Sequence, residues 1–133
     1  MILYHFTAKH LARKIKKEGL TLGGLPLSLN PPRIEWGWIW LTSKSGFDQE
    51  CLEGTGRLPY KRNEVRITVK FPDLALGCLY KFDEHKNLTP LYEDMTMFGD
   101  PENWWLYKGK IPKGWLKKFD NKPTKASEGK SSR

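Results

Sequence analysis

The first twenty residues commit the chain to one strand followed at once by one helix, and this pair constrains the fold more than any other feature. Ile2, Tyr4 and Phe6 alternate with Leu3 and His5, which is the two-residue period of a strand. Ala8, Leu11, Ala12 and Ile15 then fall on one side of a helix. Thr7 is the expected N-cap. Lys14, Lys16 and Lys17 lie in the last turns, where cations favour the helix dipole, and Gly19 is the expected stop.

After this unit the pattern is mostly extended. Residues 21–36 read as a loop, because Gly23-Gly24, Pro26 and Asn30-Pro31-Pro32 punctuate the chain. Residues 38–42 read as a strand. Residues 43–62 read as a polar, Gly-rich connection with a short helix near 47–52. Residues 64–71 give a clear alternation, with Val65, Ile67, Val69 and Phe71 against Arg66, Thr68 and Lys70. Short strands are expected at 78–82 and 104–108, a helical turn at 91–95, and a turn with an apolar anchor at Gly109-Lys110-Ile111-Pro112. One early helix and locally connected strands specify an α+β fold rather than a βαβ alternation.

At 133 residues the chain has the length of one domain. The expected boundaries are a domain over 1–118 and a Lys-, Ser- and Gly-rich disordered tail over 119–133. The net charge is +8, and residues 113–133 hold seven Lys/Arg against two acids. A polyanionic partner is compatible with this balance, and so is a merely solvated basic end. Six Trp are too many for so short a chain to bury completely, so some are expected to line a groove. Cys51 and Cys78 stand apart, without the spacing of a zinc site or a need for a disulfide, so no metal is expected. The N-terminus does not read as a signal peptide, and no segment has the length of a membrane span. The expectation is a soluble, cytoplasmic monomer.

A polar imidazole in an apolar strand needs a partner, because an unpaired buried polar group costs roughly 2 kcal/mol or more. Glu102, at the mouth of the Trp104-Trp105 strand, supplies a carboxylate at a comparable place. Tyr4-His5-Phe6-Thr7, Gly37-Trp38-Ile39-Trp40-Leu41-Thr42-Ser43 and the run from Glu102 to Pro112, in that order, resemble the three dispersed motifs (His, aromatic, Glu) of the ADP-ribosyltransferase-like fold. The likeness is to its DarT-like and poly(ADP-ribose) polymerase-type members. It covers about residues 1–115 and implies a small split β-sheet core with one N-terminal helix and long loops.

The resemblance implies NAD as substrate. His5 would hydrogen-bond a ribose hydroxyl, with Phe6 and Thr7 continuing that cofactor-binding motif. Trp40, in place of the usual Tyr, or its neighbour in the strand, would pack on the nicotinamide. Glu102 would hold the nicotinamide-ribose 2′-OH and stabilise positive charge as nicotinamide leaves. Breaking that bond builds an oxocarbenium-like cation, which a well-placed carboxylate stabilises. Thr42 and Ser43 are candidates for bonding a cofactor amide or ribose, with a turn-forming role as the alternative. Arg33 is a candidate phosphate ligand. Arg66 is read as a surface ion pair with Glu64 or Glu102. No Rossmann glycine fingerprint is present.

The implied activity is mono-ADP-ribosyl transfer to a nucleic-acid or protein acceptor, with nucleic acid favoured by charge. A role as a toxin or phage–host conflict effector is implied by family analogy alone. The alternative is a non-catalytic basic module that binds nucleic acid or protein.

Overall fold

Alternation of Val65, Ile67 and Val69 with polar residues makes β5 (Val65–Lys70) an inner strand. It pairs antiparallel with the whole of β1 (Ile2–Thr7), from Ile2 opposite Lys70 to Thr7 opposite Val65. This pairing belongs to a computed structural model whose description covers residues 1–48, 62–97 and 99–123. The other strands of the sheet are β4 (Trp38–Thr42), β6 (Leu79–Lys81), β7 (Trp104–Lys108) and β8 (Leu116–Asn121). Their order across the sheet is β6-β7-β4-β1-β5-β8, and every neighbouring pair is antiparallel. The fold is α+β.

One seam crosses this sheet. β4 and β7 are registered from Trp38–Lys108 to Thr42–Trp104. β1 and β4, by contrast, share only the pair Tyr4–Thr42. Continuing that register would set Phe6 opposite Trp40, and the pair is not formed. The sheet therefore parts into β6-β7-β4 and β1-β5-β8 towards the end where β1 runs into the helix.

The two faces carry separate cores. On one face Leu3, Ile39, Leu41, Val65, Ile67, Val69 and Tyr107 are buried under Ala12 and Ile15 of α1 (Lys9–Glu18). On the other, Trp38, Trp104 and Leu106 pack with Leu25 and Phe82. Leu25 belongs to a hairpin of β2 (Gly24–Leu29) and β3 (Pro32–Trp36), which corrects the expected loop over 21–36. Its prolines sit where strands tolerate them: Pro32 at a strand start, Pro26 beside a register shift.

Two other expectations are corrected. Thr7 does not cap α1: it continues β1, buried opposite Val65, and extended Ala8 takes the N-cap position. The capping acceptor comes from afar, as Glu64 Oε1 accepts the Lys9 N–H at 2.9 Å. The boundary at 118 is also too early, because Phe119, Asp120 and Asn121 pair with Ile67, Arg66 and Val65. The helical turn expected at 91–95 is α2 (Tyr92–Met95), and before it the buried Thr89 donates its Oγ1–H to Pro26 O at 2.6 Å. The short helix expected near 47–52 lies mostly outside the described residues, as do Cys51 and residues 124–133.

Gly19 stops α1 as expected, at φ +86°, with its N–H on Ile15 O at 2.7 Å. A Cβ there would stand 2.5 Å from Ile111 O, so the helix end and the Leu20–Ile111 bridge need a residue without one. Among the described residues no helix is long and apolar enough to cross a membrane.

Candidate functional site at the seam of the sheet

His5 sits where the sheet parts, on the α1 face, opposite Ile67. Its Nδ1 is 2.8 Å from Trp40 O, the carbonyl that a continued β1–β4 ladder would have paired with a backbone N–H. A carbonyl can only accept, so Nδ1 carries the proton. Desolvation pulls the imidazole pKa below its ordinary value; the hydrogen bond to Trp40 opposes this and the nearby Arg62 charge adds to it. The ring is therefore neutral at pH 7, with an acceptor lone pair on Nε2. Among the described residues Nε2 has no hydrogen-bond partner.

Arg62 stands close enough to His5 for its charge to act on the imidazole. Phe6, buried next to His5, meets Phe47 edge-on at 5.5 Å between ring centres. Arg66 spans the same side of the sheet as Phe6: its guanidinium lies over Phe47 at 5.1 Å and over Tyr4 at 5.8 Å. Its Nη1 donates to Ser45 O and its Nη2 to Asp120 Oδ2. The ion pair expected for Arg66 therefore forms with Asp120, not with Glu64 or Glu102.

Phe6 and Thr7 flank His5 on β1 as buried residues, whereas Trp40, Arg33, Thr42, Ser43 and Glu102 do not join it. Trp40 meets it through a backbone carbonyl, while the indole points to the opposite face. There Nε1–H donates to Gly24 O at 3.0 Å and the ring sits edge-on to Phe82 and Trp104. Its expected role as a wall beside His5 is corrected: the ring is a part-buried core aromatic beneath the hairpin. Arg33 is exposed on β3, in the hairpin of that same opposite face.

Thr42, Ser43 and Glu102 gather at the other end of β4. Thr42 Oγ1 accepts the Lys44 N–H, and Ser43 is stapled to Asn103, N–H to O at 2.9 Å and Oγ to Oδ1 at 2.7 Å. Both side chains thus serve the turn that holds the start of β7. Glu102 is exposed in the 3-10 turn Pro101–Asn103. Lys44 is ion-paired to Asp100, which raises its pKa, and Glu102 adds to that effect.

Carried through Thr42, the register sets Trp104 level with Tyr4. Glu102 is then three residues from the level of His5, about 10 Å along the strands, and two strands or about 10 Å across. His5 and Glu102 do not touch; only an extended ligand reaches both.

Arg62 and Phe47 were missed in the sequence because both lie in a polar, Gly-rich stretch without periodicity. No group of His, Cys, Asp and Glu among the described residues is arranged to hold a metal. Comparison with family models, curated proteins and solved structures returns no match.

Proposed function

We propose that the chain is an NAD-consuming ADP-ribosyltransferase whose dinucleotide lies across the seam between β1 and β4. The observation that carries this reading is the place of His5 at the parting of the sheet, its Nδ1 at 2.8 Å from Trp40 O and its Nε2 without a hydrogen-bond partner among the described residues. A ribose hydroxyl is a fitting donor to such a nitrogen. The adjacent Arg62 brings positive charge to where a pyrophosphate would follow. Glu102, exposed at the mouth of β7, is the carboxylate for the nicotinamide ribose.

The chemistry is a displacement at the ribose C1′. The bond to the nicotinamide nitrogen breaks with its electron pair going to nicotinamide, which leaves neutral. Positive charge builds on the ribose and is stabilised by the Glu102 carboxylate. The acceptor then bonds to C1′ and gives up its proton. The Trp40 ring has no part in this scheme.

The test is nicotinamide release from NAD by the purified chain, followed by chromatography. Glu102→Ala is expected to lower release by at least about 100-fold, in line with loss of a charge-stabilising group. It should leave stability within about 0.5 kcal/mol, as for an exposed site. Undiminished release in that variant removes Glu102 from the mechanism. A wild-type chain that neither binds nor cleaves NAD removes the whole reading and leaves the binding-only alternative.

A further inference from the structure

We infer that the outer face of α1 is a docking surface for the sugar–phosphate backbone of a nucleic acid. Lys9, Arg13, Lys14, Lys16 and Lys17 are all exposed. At 100° per residue they occupy one continuous arc, and Glu18 alone lies at its border. Among the described residues none of the five takes part in an ion pair. Lys16 lies over the Phe119 ring at 5.8 Å, but the packing of the fold does not require the charge of the other four: Ala12 and Ile15 anchor the helix on the opposite side.

Lys16 and Lys17 in the last turn suit the helix dipole, but the rest of the arrangement works against the helix. Lys9–Arg13 and Arg13–Lys17 are like-charged neighbours four residues apart. Lys9 sits in a first turn that has no acidic residue, at the positive end of the dipole. Glu64 has to be brought from the approach to β5 to cap it. Such a face is accounted for by an external polyanion. Lys9, Arg13 and Lys17 recur about 6 Å apart along the axis, which offers a contact to successive phosphates.

The ridge also leads to the seam. A groove of about 520 Å3, lined by Lys9, His10, Arg13 and Glu64, opens at the N-terminal end of α1. Arg62, whose charge acts on His5, is two residues before Glu64. A strand held along α1 is thereby directed to the parting of the sheet. This inference does not rest on NAD chemistry, since binding is read without NAD.

The experiment uses the full chain and a fluorescein-labelled, mixed-sequence single-stranded DNA, with anisotropy titrations from about 50 to 200 mM salt. The triple variant Arg13→Gln, Lys14→Gln, Lys17→Gln is expected to bind at least about tenfold more weakly at the low-salt end. Its log–log salt slope should be shallower by about 2, the share of three phosphate contacts on a single strand. The charge-keeping variant Arg13→Lys, Lys14→Arg, Lys17→Arg should bind as wild type does. If the triple variant lacks a melting transition, Arg13→Gln and Lys17→Gln singly carry the test, each reducing the slope by about 0.7.

Unchanged affinity and slope in the α1 variants overturn the inference. So does transfer of the whole salt dependence to Lys125→Gln, Lys130→Gln, Arg133→Gln. Binding to phosphatidylserine vesicles in preference to DNA overturns it too, because the surface is then a membrane contact.

Discussion

Replacing His5 with leucine keeps most of the side-chain bulk and removes its donor. In the native fold that donor reaches Trp40 O at 2.8 Å, where β1 and β4 part. The substitution leaves the carbonyl without it, and the Phe6–Trp40 pairing that would replace it is not formed. An unsatisfied acceptor in such a place costs about 1–3 kcal/mol. Apolar burial by leucine offsets part of this, so the net loss is about 1–2 kcal/mol. In a domain of this size that lowers Tm by roughly 3–10 °C.

The same substitution has a signature in pH. The His5 pKa is lowered in the folded state from an ordinary 6.5, first by desolvation and further by Arg62. Between the folded value and 6.5 the unfolded chain binds more protons, so the His5 contribution makes stability rise with pH there and level off above. Acidification from pH 7 to 5 therefore weakens the wild-type protein through His5, and the His5→Leu protein lacks this loss. His10 and His85 are common to both and cancel in the difference. Urea unfolding followed by Trp fluorescence at several pH values between 5 and 8 measures it, and the gap between the two proteins should narrow as pH falls. A gap independent of pH, or a variant within about 0.5 kcal/mol of wild type at pH 7, refutes the assignment of His5 as a neutral, carbonyl-bound imidazole.

Two further substitutions test the frame around the seam. Gly19→Ala places a Cβ 2.5 Å from Ile111 O at a φ of +86°. The left-handed backbone alone costs about 1–2 kcal/mol and the overlap adds to it, so thermal unfolding should show a loss above about 2 kcal/mol. Phe82→Ala empties the centre of the second core, where the ring meets Trp40, Tyr92 and Trp104. A loss of about 3–5 kcal/mol is expected, with a weakened near-ultraviolet circular dichroism band.

The elements legible in the sequence were those whose period is regular. β1, β4, β5 and β7 alternate cleanly, and α1 has an apolar stripe and a glycine stop. β8 was hidden because its pairing with β5 shifts between Thr68 and Val69. Leu116 and Phe119, three residues apart, consequently face the same core, and the lysines between them resemble a solvated tail. The β2–β3 hairpin was hidden by prolines and glycines that local chemistry reads as breakers and that an irregular two-stranded ribbon accepts. The site was legible only in part. An imidazole in a strand asks for a partner, but that the partner is the Trp40 carbonyl depends on where two strands stop pairing. That Trp40 turns its ring away follows from its alternation with Ile39 and Leu41 once the faces are known. Which face takes the hairpin is a tertiary fact.

The separation of His5 and Glu102 has a chemical consequence for the proposed reaction. At about 10 Å along the strands and about 10 Å across them, the two side chains cannot serve one ribose. If Glu102 holds the nicotinamide ribose, His5 holds the other one, and nicotinamide mononucleotide lacks the half that His5 contacts. Turnover of NAD should then depend on both residues and cleavage of the mononucleotide on Glu102 alone. His5→Leu is expected to raise KM for NAD by about tenfold, the worth of one hydrogen bond of about 1.4 kcal/mol, and to leave kinetics with the mononucleotide unchanged. Steady-state nicotinamide release with the two substrates separates these outcomes. An equal penalty on both would mean that residues 5 and 102 act on the same sugar. That requires the seam to close by several ångströms on binding, contrary to the open β1–β4 register.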